Sequence, residues 1–225
     1  MEKLIQYLSQ FVTPERLKRF EDIIQYRTRY ITIGLEDIYQ SHNASAVLRT
    51  CDCFGLQDVH IIENKNEYKV NDNIALGASN WLSIKKYKDN PNNTLQAIQT
   101  IKQAGYRLVA TTPHEKYPVT DLEKFDLSKG KFCLFFGTEQ DGITSDVIDN
   151  ADEFLKIPMY GFTESFNISV STGIMLHHLT YRLRKSKIDW QLSNQESLQT
   201  KLEWLRSSIK NCDAIEKIYT EEKNS

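Results

Sequence analysis

The segment KFCLFFG, residues 131–137, constrains this chain most. From Phe132 to Phe136 it is continuously apolar and presents no polar face. A strand of this kind must be covered on both sides, the condition of an interior strand in a parallel sheet clad by helices. The rest of the pattern agrees. Strands are expected in YITIGLEDI, ending near Ile38, in DVHIIE, in YRLVATT and in EFLKIPM. Between them lie helical stretches: NASAVLRTCDCFG closing on Gly55, TLQAIQTIKQAG closing on Gly105, and a long helix from Asn167 to about Lys185. Strands alternating with helices imply an α/β fold with a parallel-sheet core. Helices flank that core. Thr13-Pro14 reads as an N-cap followed by proline at the first helical position, and Ser193 with Glu196 reads as a capping box.

With 225 residues the chain can bury a sizeable core. No apolar run approaches the roughly 20 residues of a membrane helix, and MEKLIQYLSQF is amphipathic rather than a secretion signal. A cytoplasmic protein with reduced, packed cysteines (Cys51, Cys53, Cys133, Cys212) is expected. No metal site is expected, since the adjacent His177 and His178 would point to different helix faces. The net charge of −2 hides local basic clusters. Lys3, Arg16, Lys18, Arg19, Arg27 and Arg29 stand against Glu2, Glu15, Glu21 and Asp22, and YRLRKSK gathers Arg182, Arg184, Lys185 and Lys187 without an acid. Such patches suit either nucleic-acid phosphates or plain solvated helix faces.

Ligands of parallel α/β sheets bind beyond the carboxyl ends of the strands. Loops there begin at Thr111, Phe136 and Ile157. The second, FGTEQDGIT, has the glycine spacing of a phosphate loop, but Ile143 replaces its lysine and it carries Glu139 and Asp141. An acid a few ångströms from phosphate would cost about 4 kcal/mol at an effective dielectric near 20. Nucleotide hydrolysis is thereby disfavoured, and neither G-x-G-x-x-G nor G-x-S-x-G occurs in the chain. The acids suit a ligand with positive charge or with hydroxyl and amine donors.

Three stretches carry a resemblance. HNASAVLRTCDCFG is similar to the first motif of the SpoU branch of the SPOUT methyltransferases, N-x-x-A-x-x-R-T with a glycine after it. LFFGTEQDGIT is similar to the second, G-x-E-x-x-G, and IPMYGFTESFNISVSTG to the third, I-P-M-x-G-x-x-x-S-x-N-x-S. They occur in the family's order. The stretch TPERLKRFEDIIQYRTRYITIGLEDIYQSHN also resembles the N-terminal extension of the branch that modifies the D-loop guanosine of tRNA.

The resemblance implies a trefoil knot in the C-terminal half of the core, a homodimer, and S-adenosylmethionine as cofactor. It implies methyl transfer to the ribose 2′-hydroxyl of guanosine 18 of tRNA. It divides the chain into an N-terminal tRNA-binding extension (1–30), a methyltransferase core (31–187) and a C-terminal helical extension (188–225). The dimer would use the helix after Asn167, whose apolar Ile168, Val170, Ile174, Met175 and Leu179 equally fit core packing. Thr111, Gly137, Ile157 and Phe166 would line the cofactor site, with Gly142 and Met159 close by. The small glycines would permit close approach of the cofactor. Phe166 departs from the usual leucine, which bears on pocket width.

Arg49 matches the catalytic arginine. As a base it would have to give up a guanidinium proton that arginine holds far above neutral pH, a cost of several kcal/mol. A charged Arg49 clamping a phosphate and stabilising the developing alkoxide avoids that penalty. Asn43 would position Arg49 or the ribose, and Glu139 would orient either one and complement the cofactor charge. Ser165 and Asn167 would bind the target nucleotide or brace Arg49, although a helix cap alone also explains Asn167. Asp141 has no assigned role. Arg16, Arg19, Arg27, Arg182 and Lys185 would hold tRNA phosphates. Two other readings stand beside this one: another RNA target such as ribosomal RNA, and an RNA-binding module without catalysis.

Overall fold

In the computed structural model, which describes residues 1–68, 71–114, 116–138 and 142–224, the apolar run is an interior strand. The chain divides into two units, Arg29–Trp190 and a second made of Met1–Thr28 with Gln191–Ser225.

The first unit holds a seven-stranded sheet among its described residues. The strands are β1 (Ile31–Glu36), β2 (Asp58–Ile62), β3 (Ser83–Tyr87), β4 (Arg107–Thr111), β5 (Val119–Asp121), β6 (Phe132–Phe136) and β7 (Glu153–Lys156). Their order is β3-β2-β1-β6-β4-β7-β5, and every pairing is parallel. The side-chain alternation of β6 sorts two cores. Phe132, Leu134 and Phe136 join a cluster containing Val47, Leu48 and Leu179, from the helices Ser41–Cys53 and Ile168–Lys185. Cys133 and Phe135 join the opposite cluster with Ala97, Ile98, Ile101 and Val147, from the helices Asn93–Gln103 and Ser145–Asn150. Both faces of the sheet are therefore covered, as the apolar run demands.

Local chemistry sets the element ends. β1 stops at Glu36 rather than near Ile38, because Asp37 turns into the left-handed region at φ 51°. The Asp37 carboxylate accepts the backbone N–H groups of Asn64, Lys65 and Asn66 at 2.7, 2.8 and 3.2 Å. β7 ends at Lys156, ahead of Pro158, which has no N–H to give a ladder. Gly55 and Gly105 close their helices at φ 77° and 81°, as expected. β3 and β5 were not foreseen. β3 is an edge strand with Lys85 and Lys86 exposed, and β5 is three residues long.

The second unit contains the helices Glu2–Leu8, Pro14–Ile24, Asn194–Ser208 and Cys212–Asn224. Thr13 caps the second of these by accepting from Arg16 N at 3.3 Å, and the capping box of Ser193 and Glu196 is complete. Phe20 packs on Trp204 with ring centroids 5.3 Å apart. All four cysteines are free thiols; Cys51, Cys133 and Cys212 are buried, whereas Cys53 is exposed and not packed as expected. Among the described residues no helix is long and apolar enough to cross a membrane.

Candidate active site

The three candidate ligand loops leave β4, β6 and β7 at their carboxyl ends, and these strands are neighbours in the order β6-β4-β7. β1, which precedes the first motif, lies next to β6. All candidate segments thus start from one edge of the sheet.

We number the helix Ser41–Cys53 α1 and the helix Ile168–Lys185 α2. Asn43 is buried in the first turn of α1 and donates from Nδ2 to Gln40 Oε1 at 3.2 Å. Its Oδ1 accepts from Asn167 Nδ2, also at 3.2 Å, so the first and third motifs meet directly. Asn167 is also the N-cap of α2, with Oδ1 accepting from Ser169 N at 2.9 Å and Ser169 Oγ at 2.6 Å. Capping and linking are done by different atoms of the same side chain. Arg49 is exposed on α1. Six residues turn a helix by about 600°, so Arg49 and Asn43 point roughly 120° apart. Asn43 hydrogen-bonds to Gln40 and Asn167, the residues that precede α1 and α2. Ser165 is exposed two residues before the cap. Glu139 and Asp141 lie outside the described residues.

The two glycines of the second motif differ in their surroundings. Thr138 and Gly142 exchange backbone hydrogen bonds at 2.9 and 3.1 Å. A Cβ on Gly137 would lie 2.0 Å from the Gly142 carbonyl oxygen. Gly137 is therefore required by closure of the loop's own backbone. Gly142 sits at φ 71° with open space where a Cβ would stand. Thr111 Oγ1 donates to the Phe135 carbonyl at 2.8 Å, tying the end of β4 to β6. Ile157 and Met159 are half-buried, and Phe166 is 42% exposed. This edge therefore offers apolar surface from Ile157, Met159 and Phe166 together with open space at Gly142, which fits an adenosine-bearing cofactor. Ile157 also lines a groove of about 440 Å³ along α2, with Pro158, Tyr160, Ile174, His177 and His178 among its walls. Burial, with the Arg182 charge behind it, holds the His178 imidazole below its usual value.

One acid at this edge was missed from sequence. Glu36, the last residue of β1, is fully buried. Its carboxylate accepts from Thr94 Oγ1 at 2.5 Å, Thr144 Oγ1 at 2.8 Å and Thr144 N at 3.2 Å. Burial raises its pKa against the opposing pull of these donors. A buried-strand pattern (Ile31, Ile33, Leu35) ending on an acid was the available signal.

The basic residues separate into two kinds. Arg16 and Arg19 are exposed on the helix Pro14–Ile24. Lys185 is exposed, with Nζ 2.5 Å from Tyr181 Oη. Arg27 does not present its charge to solvent: it is 2% exposed, with the guanidinium 5.2 Å from the Trp204 ring centroid. Arg182 is half-buried and donates to the carbonyls of Leu122 at 3.2 Å and Phe125 at 2.7 Å. Both are corrections to the expected phosphate-binding set, since each guanidinium already serves packing or backbone carbonyls.

Comparison with known proteins agrees with this geometry. A tRNA (guanosine(18)-2′-O)-methyltransferase of Borreliella burgdorferi is 44% identical over 216 residues, 96% of each chain. An enzyme of the same name from Aquifex aeolicus is 31% identical over 82% of each chain. The crystal structure of the A. aeolicus TrmH/SpoU tRNA modifying enzyme superposes with a TM-score of 0.74 at 29% identity, covering 88% of this chain and 98% of that one. The model of the SpoU rRNA methylase family matches residues 30–177, and the chain belongs to that family.

Proposed function

We propose that this protein is an S-adenosylmethionine-dependent methyltransferase that modifies the ribose 2′-hydroxyl of guanosine 18 in tRNA. The observation that carries this reading is the near-full-length match to a relative of that name. The Asn167–Asn43 hydrogen bond supports it locally by joining the first and third motifs. The bound cofactor supplies an electrophilic methyl on a sulfonium. Thr111, Gly137, Gly142, Ile157, Met159 and Phe166 would hold it at the sheet edge. Arg49, exposed and charged, would clamp a substrate phosphate and stabilise the alkoxide that develops at O2′. Ser165 and Asn167 would contact the target nucleotide, with Asn43 fixing Asn167. Glu139 would complement the cofactor charge.

The same reading includes a trefoil knot. In its support, β6 lies between β1 and β4, and β7 between β4 and β5, although each follows both of its neighbours in the chain. It includes a cytoplasmic homodimer, with tRNA held by Arg16, Arg19 and Lys185 and with residues 1–30 and 188–225 as extensions of the core. The test is methylation of unmodified total tRNA by the pure protein, followed by mapping of the ribose-methylated positions. Label at guanosine 18 is expected. Label in ribosomal RNA alone would overturn the substrate, and no label in any RNA would favour a binding module.

A further inference from the structure

Glu36 stands at a junction that the motif set leaves unassigned. The loop 137–144 leaves β6 from Phe136, which is fixed by its register with Leu35 of β1. At the other end Thr144 begins the helix Ser145–Asn150, yet its side chain makes no cap bond to that helix. Both its hydroxyl and its backbone N–H go instead to Glu36. Thr144 is itself exposed, whereas Glu36 is fully buried, so Thr144 covers the carboxylate on its solvent side. On the inner side the carboxylate receives Thr94, which is buried and also accepts from Asn64 Nδ2 at 2.8 Å. Asn64 Oδ1 in turn accepts from Asn93 N at 3.0 Å. One carboxylate therefore ties β1, the start of the helix Asn93–Gln103 and the far stem of the second-motif loop.

We infer that Glu36 is a positioning residue for cofactor binding, holding Thr144 and with it the 142–144 stem in one geometry beside the cofactor. The inference rests on the reading of this sheet edge as the S-adenosylmethionine site. Thr94 and Thr144 donate to the same carboxylate oxygen, but only Thr144 belongs to the loop, and this separates positioning from stability. Thr144→Val keeps the side-chain shape and removes the loop's hydroxyl. It should raise the S-adenosylmethionine dissociation constant about tenfold or more, the size of one lost hydrogen bond to a carboxylate. The KM for cofactor should follow, with kcat at saturation little changed and Thr144→Ser restoring wild-type affinity. Thr94→Val should lower the melting temperature and leave cofactor affinity near wild type. Glu36→Gln should weaken cofactor binding non-additively with Thr144→Val, since both act on one contact.

Calorimetric titration of the full-length protein with S-adenosylmethionine reads these outcomes, and Phe166→Ala serves as control. If Phe166→Ala weakens binding while Thr144→Val does not, the role of Glu36 falls and the site stands. Equal losses from Thr94→Val and Thr144→Val would also overturn it, leaving Glu36 a purely structural acid. If Phe166→Ala leaves affinity intact, the site assignment falls and the inference falls with it.

Discussion

Arg49 is exposed on α1 while Asn43, on the same helix, is buried against Asn167. That separation favours an arginine that reaches out to substrate over one held within a charge-relay cluster. Arg49→Lys keeps the charge but loses the planar fork, so bidentate clamping of a phosphate is no longer possible. Turnover should fall by about two to three orders of magnitude, as when an oxyanion-stabilising donor is removed. Cofactor affinity should stay unchanged. Single-turnover methylation measures the loss, and near-full turnover with lysine would remove the clamp from the mechanism. Motif matching placed Asn43, Arg49 and Asn167 by residue type and spacing. It could not separate exposed from committed cations. Arg27 and Arg182 look like Arg16 and Arg19 in sequence, but one lies over an indole and the other holds two backbone carbonyls. Only tertiary packing distinguishes them.

Elements were legible where a local rule ends them. Thr13, Ser193, Gly55 and Gly105 each act where their chemistry predicts. β3 was not legible, because an edge strand carrying Lys85 and Lys86 lacks the apolar run that reveals an interior one. The second-motif loop shows how a correct element can be assigned for an incomplete reason. Gly137 was read as room for a ligand, whereas its Cβ position is filled by the Gly142 backbone. Gly137→Ala must therefore open the loop and break the two Thr138–Gly142 hydrogen bonds, about 2 kcal/mol together at roughly 1 each. Gly142→Ala meets no atom and bears only the left-handed backbone strain, about 1–2 kcal/mol. Cofactor affinity should drop more steeply for Gly137→Ala than for Gly142→Ala, although both should lower the melting temperature. Titration of the two variants checks the order, and equal affinities would show that loop closure does not govern the site.

For the whole molecule, the decisive feature is the second face of α2. Ile168, Met175, Leu176, Leu179 and Leu183 point into the core, whereas Val170 and Ile174 are 47% and 36% exposed. His177 and Tyr181 continue the exposed row, their rings stacked at 6.4 Å, and Phe54 meets His177 edge-on at 6.1 Å. Positions 170, 174, 177 and 181 fall at i, i+4, i+7 and i+11, one continuous stripe along the helix. The apolar residues of this helix thus serve two purposes that sequence could not apportion: three of the five named from sequence fill the core, and two remain for another surface. A lone apolar side chain on a surface needs no explanation, but a contiguous stripe marks an association surface. The same helix lines the groove that includes Ile157, so a second subunit seated there would border the cofactor site. A two-fold dimer using this stripe would bring it against its own copy, and Ile174→Glu would then place like charges at or near the centre of the contact. Sedimentation equilibrium should find the wild type dimeric and Ile174→Glu shifted to monomer with unchanged far-ultraviolet circular dichroism. Methylation should decline with the dimer fraction, recovering as protein concentration rises. A monomeric wild type with full activity would assign the stripe to some other partner and make the site complete within one chain.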